Sequence, residues 1–144
     1  MDHKPMERRG RLLLVEDEHV LRTLVAQFLR AENYHVVEAA DGPEGVARFG
    51  DSGPFDLALV DLNLPIYSGV EVCRRIKRTM PGQRIMICSA AIMCDNELAL
   101  QDLGIDHFLT KPYHPEELLA HIDGELRLAG TVARGQVWGA TRLA

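Results

Sequence analysis

Residues 55–69 have the sequence FDLALVDLNLPIYSG. The mainly apolar run 55–60 predicts a strand covered on both faces, and Asp61 follows it directly. Pro65 and Gly69 mark the next residues as a loop before a helix. Asp61 is therefore predicted at the carboxyl end of a buried strand, the edge at which open parallel sheets bind ligands.

The rest of the chain alternates short apolar runs with helical patterns. Further strands are predicted at 12–15, 35–39, 84–88 and 105–109, and helices at 18–30, 44–49, 70–80, 95–103 and from residue 115 onward. This alternation predicts an α/β fold, a doubly wound five-stranded parallel sheet with helices on both faces.

The first predicted helix carries six apolar residues at the spacing of one helix face. We expect that face to pack on the sheet, and Asn33 stands where the helix should end. The six residues are Val20, Leu21, Leu24, Val25, Phe28 and Leu29.

Composition predicts an ordinary globular domain. The chain has 144 residues, 47% of them hydrophobic and 26% charged, and no apolar run of membrane-spanning length. A net charge of −5 disfavours direct nucleic-acid binding, and the three cysteines form no C-x-x-C pair. We expect reduced thiols, a cytoplasmic location and no membrane contact. The predicted organisation is a polar segment at 1–10, one domain at 11–129, and a tail or truncated linker at 130–144.

Other polar side chains follow predicted strands in the same way as Asp61 does. Glu16 and Asp17 follow the first strand, Ser89 the fourth and Lys111 the fifth. Because parallel strands end at one edge of a sheet, these side chains are expected to meet there.

The acidic residues of this group suit Mg²⁺, which prefers oxygen ligands and usually keeps several waters. Asp17 and Asp61 are the predicted carboxylate ligands. Glu16 is predicted to act through a metal-bound water, and the backbone carbonyl of Asn63 to supply another oxygen. Clustered carboxylates repel one another unless a cation compensates, so a divalent ion is expected.

An aspartate can also act as a nucleophile toward phosphorus and form an acyl phosphate. Asp61 is the predicted phosphoacceptor. Lys111 as a positive charge and Ser89 as a hydroxyl donor are expected to neutralise the peripheral phosphoryl oxygens.

With these residues identified, the chain resembles the receiver domains of two-component response regulators over residues 10 to 129. The matching segments are LLVEDE at 13–18, LVDLNLP at 59–65 with Gly69, CSA at 88–90 and LTKPY at 109–113. In layout it is similar to the single-domain, chemotaxis-type members. The resemblance implies a flavodoxin-like sheet of order 2-1-3-4-5.

The same resemblance implies a function. Asp61 would accept a phosphoryl group from a histidine kinase or phosphotransfer protein in an Mg²⁺-dependent reaction. Ser89 and Phe108 would act as switch residues that change the surface of helix 4, strand 5 and helix 5 for a downstream partner. The resemblance also implies a cis peptide bond between Lys111 and Pro112, and a homodimer is one possible assembly.

Several alternatives remain open from the sequence. The chain could be an unphosphorylated interaction module, a receiver cut from a larger regulator with a DNA-binding output domain, or a hydrolase that uses a phosphoaspartate. Catalysis of anything beyond its own phosphorylation and dephosphorylation is not expected. His114 and His121 lie seven residues apart, but no third ligand has matching spacing, so a zinc site is not predicted. Both histidines are predicted to be surface residues.

Overall fold

Five parallel strands form one sheet in the order β2-β1-β3-β4-β5, as predicted. The computed structural model describes residues 9–90 and 94–133. The strands are β1 Arg11–Val15, β2 His35–Ala39, β3 Leu57–Val60, β4 Ile85–Ser89 and β5 Phe108–Thr110.

Helices connect the strands. They are α1 His19–Ala31, α2 Gly42–Ser52, α3 Gly69–Thr79, α4 Cys94–Asp102 and α5 Pro115–Ala133. Asp41 caps α2 by accepting a hydrogen bond from the Glu44 amide at 2.8 Å, and Ser68 caps α3 by accepting one from the Glu71 amide at 3.3 Å. The Ser68 cap closes the loop that follows β3.

Two apolar layers cover the sheet. The first includes Leu13 and Val15 of β1 and packs against α2, α3 and α4, while the second includes Leu12 and Leu14 and packs against α1 and α5. Alternate residues of one strand point to opposite faces, so an unbroken apolar run is what a sheet covered on both faces requires. The doubly wound prediction is confirmed.

The prediction for the face of α1 is only partly right. Val25 and Leu29 are buried, but Val20 and Leu24 are 67% and 58% exposed. The two exposed residues are one turn apart, so they form an apolar strip beside the buried one. The apolar stripe of α1 is therefore wider than the part of it that the rest of the fold covers. Asn33 follows the helix with a φ of 71°, as its predicted stop position suggests.

Several element boundaries differ from the predictions. β5 begins at Phe108 rather than at residue 105, because the pairing with β4 starts between Ile87 and Phe108. Ile105 is buried, but it lies before the first paired residue. α2 extends through Ser52 at one end and begins at Gly42 at the other. α5 runs from Pro115 through Ala133, and residues 134–144 of the expected tail lie outside the described residues.

Two of the three cysteines, Cys73 and Cys88, are buried free thiols. Burial raises the pKa of each to about 12, so both are protonated at neutral pH. None of the helices in the described ranges is long and apolar enough to cross a membrane.

Candidate functional site

Asp61 lies just past the end of β3, with only 5% of its surface exposed. Its Oδ1 accepts hydrogen bonds from the Asn63 amide at 3.0 Å and from the Ser89 hydroxyl at 3.2 Å. Its Oδ2 accepts one from the Lys111 ammonium at 2.7 Å. Strands β3, β4 and β5 are neighbours, which is why residues far apart in sequence converge on one carboxylate.

Lys111 bridges two buried carboxylates. Its Nζ lies 2.7 Å from Asp61 Oδ2 and 2.7 Å from Glu16 Oε1. Burial disfavours the charged ammonium, but the hydrogen bonds to Asp61 and Glu16 outweigh burial and raise the pKa of Lys111. The lysine therefore stays charged and neutralises part of the acidic site.

Glu16 is 3% exposed and is fixed from several directions. Besides the contact with Lys111, its Oε2 accepts a hydrogen bond from the Glu18 amide at 3.1 Å. Arg22 of α1 donates to the Glu16 backbone carbonyl at 2.8 Å. Desolvation raises the pKa of the Glu16 carboxyl, although the hydrogen bonds from Lys111 and Glu18 oppose the shift. The Arg22 contact was not predicted, because an arginine near the start of a helix has no distinctive spacing.

The loop after Asp61 returns close to its own backbone. The Gly69 amide donates to the Leu62 carbonyl at 2.9 Å. A Cβ atom at position 69 would lie 2.6 Å from the Leu62 Cα and nearer still to the Asp61 carbonyl oxygen. Only glycine fits this close approach. The approach fixes the position of the start of α3 relative to Asp61.

Three predicted metal ligands meet at the same edge. Glu16, Asp17 and Asp61 each offer a carboxylate oxygen, and these oxygens lie within 4.8 Å of one another. Glu16 and Asp61 are buried, and Asp17 is exposed. An all-oxygen set open to water on one side suits Mg²⁺, which keeps part of its hydration shell. Asn63 is in the adjoining loop, where its amide contacts Asp61.

The predicted switch residues lie on neighbouring strands. Ser89 is fully buried at the end of β4, and Phe108 begins β5 and is half-buried against the layer that includes α3 and α4. The carbonyl of Ser89 also accepts a hydrogen bond from the Lys111 amide at 2.9 Å. The peptide bond between Lys111 and Pro112 is cis, as the resemblance implied.

A cleft of about 390 Å³ opens beside this edge of the sheet. Its lining combines an acidic residue, the site lysine and apolar or aromatic surface. The lining residues are Glu18, Leu21, Ala90, Lys111, Pro112 and Tyr113. Lys111 therefore contacts the buried carboxylates and also borders an open space.

Comparisons with known proteins identify the family of the chain. The family model described as the response regulator receiver domain matches residues 12–123. Sensory transduction protein RegX3 of Mycobacterium tuberculosis is 37% identical over 119 residues, which are 83% of this chain and 52% of that protein. Cell cycle transcriptional regulator CtrA of Caulobacter vibrioides is 34% identical over 117 residues, 81% of this chain and 50% of that protein. The chain thus spans about half the length of these curated relatives.

Solved structures show the same fold. A CheY-like receiver domain protein from Methanospirillum hungatei has a TM-score of 0.78 and 29% identity, covering 85% of this chain and 95% of its own. The chemotaxis protein CheY4 of Vibrio cholerae has a TM-score of 0.74 and 26% identity, covering 79% and 96%. The family model and the shared fold agree, and the chain belongs to the response regulator receiver domain family.

Proposed function

We propose that the chain is a phosphorylation-driven switch in which Asp61 accepts a phosphoryl group. The observation that carries the proposal is the set of contacts around Asp61, a buried carboxylate that receives hydrogen bonds from Ser89 and Lys111. The same two donors that contact the carboxylate oxygens would also be close to the oxygens of a phosphoryl group bound there, and they would stabilise its negative charge.

In the proposed reaction a carboxylate oxygen of Asp61 forms a bond to phosphorus. The bond from phosphorus to the nitrogen of a donor phosphohistidine breaks, and its electron pair leaves with the imidazole. Lys111 and the Ser89 hydroxyl would transfer their hydrogen bonds from the carboxylate to the phosphoryl oxygens. Hydrolysis of the acyl phosphate would return the site to its starting state, so no other substrate is turned over.

We infer that Asp17 and Asp61 hold Mg²⁺, with Glu16 acting through a water and the carbonyl of Asn63 as a further oxygen. When bound, the ion would supply positive charge to the transferred group. The support for this inference is the convergence of three carboxylates, of which Lys111 neutralises only part.

The proposed phosphoryl donor is a histidine kinase or phosphotransfer protein, and the proposed location is the cytoplasm. The proposed output is a change in the surface formed by α4, β5 and α5, transmitted through Ser89 and Phe108. The proposed receiver domain is the segment 11–129. A receiver within a longer transcriptional regulator is the second candidate, because the match covers only about half the length of relatives named as transcriptional regulators. An interaction module that is never phosphorylated is the third candidate.

The first test is intact mass after incubation with acetyl phosphate and Mg²⁺. We expect one phosphoryl adduct on the chain, lost in the Asp61→Asn variant and lost when a chelator removes the ion. Asp51→Asn is the matched control, because Asp51 is exposed on α2, and it should keep the adduct. A folded chain that gains no adduct, from acetyl phosphate or from a panel of histidine kinases, would support the interaction module instead.

Magnesium binding has its own expected result. A ligand present at about 100 times its Kd and bound only by the folded chain stabilises it by about 2.7 kcal/mol. We expect a rise of that order with saturating Mg²⁺, measured by urea unfolding, and a much smaller rise in Asp17→Asn. Asp51→Asn should respond as the unaltered chain does, and equal responses in all three proteins would contradict the assignment of Asp17.

A further inference from the structure

A second cluster of titratable side chains lies away from Asp61, at the opposite ends of β4 and β5. His107 directly precedes β5, and its Nδ1 lies 2.5 Å from Glu125 Oε1 on α5. Its Nε2 lies 2.7 Å from Nδ1 of His121, one turn before Glu125 on the same helix. Both ring nitrogens of His107 thus connect β5 to α5. Of the two histidines predicted at the surface, His114 is exposed, and His121 is half-buried by this contact.

The charges around the pair fix the direction of one hydrogen bond. Glu125 is 3% exposed, and its Oε2 lies 2.5 Å from Nη2 of Arg84, which directly precedes β4. The guanidinium keeps the carboxylate ionised, so the carboxylate accepts and His107 Nδ1 donates. Other charged residues lie next to the cluster in the sequence. They are Asp106, which precedes His107, and Asp123 and Arg127, which lie on either side of Glu125 on α5.

The contact between the two rings admits a limited number of protons. With both imidazoles neutral, His121 Nδ1–H donates to the lone pair of His107 Nε2. With one added proton the pair still shares a single hydrogen between the facing nitrogens, whichever ring carries the charge. With two added protons, both facing nitrogens carry hydrogen and neither can accept, so the contact at 2.7 Å is lost.

The separation itself favours a shared proton over a shared metal ion. Two imidazole nitrogens that bind one tetrahedral zinc ion lie about 3.3 Å apart, given Zn–N bonds of about 2.0 Å. The observed 2.7 Å is shorter and matches a hydrogen bond.

We propose that His107 and His121 form a pH-sensitive contact between β5 and α5, which is closed while the pair holds at most one added proton and opens when it takes a second. The opened form binds one proton more than the closed form, so linkage favours opening as the pH falls. Histidine is the side chain that changes charge in the physiological range.

The contact bears on the face that contains Phe108. The His107 carbonyl accepts a hydrogen bond from the Ile87 amide at 3.0 Å, so His107 also joins β5 to β4. Phe108 is the next residue, on the opposite side of the sheet from His107. Opening the contact would therefore free the start of β5 from α5. This chemistry needs no phosphoryl group, so its test can fail or succeed independently of the proposed function.

The test is a histidine side-chain NMR titration of the full chain, with a chelator present, from about pH 8 to about pH 5. We expect the amides of Phe108 and Leu109 to shift together with the ring signals of His107 and His121 as the contact opens. The His114 ring is exposed and lies outside this contact, so it serves as the internal reference.

Substitution gives the second arm of the test. His121→Gln should abolish the acid-induced shift of the Phe108 and Leu109 amides, whereas the matched control His114→Gln should leave that shift in place. Phe108 and Leu109 amides that stay unchanged over this pH range in the unaltered chain would overturn the proposal. That result needs no variant, so the proposal stays testable even if His121→Gln does not fold.

Discussion

Replacing Gly69 with alanine is expected to destabilise the chain by about 3 kcal/mol, because overpacking a close-packed site costs about 1–3 kcal/mol and sometimes more. The added Cβ would meet backbone atoms of Asp61 and Leu62, among them the Leu62 Cα at 2.6 Å. No side chain can rotate away to relieve that contact. Either α3 must shift from the end of β3 or the loop that carries Asp61 must move.

The measurement is urea unfolding of the variant against a matched control. Gly50→Ala makes the same chemical change in α2, where an added Cβ meets nothing within 4 Å. Alanine is the better helix former, so this control should be more stable than the unaltered chain by up to about 1 kcal/mol. We also expect Gly69→Ala to take up phosphate from acetyl phosphate more slowly, since Asp61 would no longer be aligned with Ser89 and Lys111. Equal stability of the two alanine variants would show that the loop adjusts without cost.

Much of this fold could be predicted from local pattern. Unbroken apolar runs such as residues 57–60 identify buried strands, and each polar residue that ends a run marks the same edge of the sheet. Asp61, Ser89 and Lys111 therefore lie together, as their positions in the sequence predicted. Their chemical roles stay predictions until phosphorylation is measured.

The parts that sequence did not predict depend on how much surface a neighbour covers. Val20 and Leu24 have the same apolar character as Val25 and Leu29, yet only the second pair is buried, so apolar character alone does not tell which part of α1 the rest of the fold covers. The start of β5 likewise depends on where β4 offers a partner, not on the apolar residues ahead of it.

The cluster at His107 shows a second limit of sequence patterns. His121 and Glu125 have helical spacing, but His107 and Arg84 reach them from different strands. Each residue alone has an ordinary surface explanation. A pattern read along one segment cannot indicate a contact that three elements assemble, whereas the strand-end rule succeeded for Asp61 because it describes a whole sheet edge.

The second large effect is expected from Lys111→Met, which keeps most of the side-chain volume and removes the charge. In the unaltered chain the ammonium lies 2.7 Å from both Glu16 and Asp61, whose side chains are each 5% exposed. Removing one partner of a buried ion pair costs about 3–5 kcal/mol, because the remaining charge stays buried without compensation. At about pH 7 without Mg²⁺ we expect the free energy of unfolding to fall by an amount near the lower end of that range. Protonation of Glu16 or Asp61 would remove one of the uncompensated charges and so reduce the cost.

The matched control is Lys77→Met. Lys77 donates to the Pro81 carbonyl at 3.1 Å, and no carboxylate is among its hydrogen-bond partners within the described ranges. This lysine is half-buried as well, so the control separates loss of a lysine from loss of the bridge between two acids. We expect Lys77→Met to change the free energy of unfolding by less than about 1 kcal/mol.

The pH dependence distinguishes this explanation from a simple packing defect. Burial already raises the pKa of Glu16, and Lys111 opposes that shift, so removing the lysine raises it further. A carboxyl with a higher pKa in the folded chain than in the unfolded chain takes up a proton on folding, which stabilises the fold as the pH falls. The difference in free energy of unfolding between Lys111→Met and the unaltered chain should therefore decrease between about pH 7 and about pH 5. It should also decrease when Mg²⁺ is added.

Phosphoryl uptake tests the functional role of the same charge. Loss of one group that stabilises a developing negative charge slows a reaction on the order of 100-fold or more. We expect a loss of that order in the rate of adduct formation by Lys111→Met from acetyl phosphate, with Lys77→Met unchanged. Because added Mg²⁺ should restore stability, the rate can be compared in two folded proteins. A variant that regains stability and also keeps its rate would show that Lys111 only balances the charge of the acids and takes no part in the transfer.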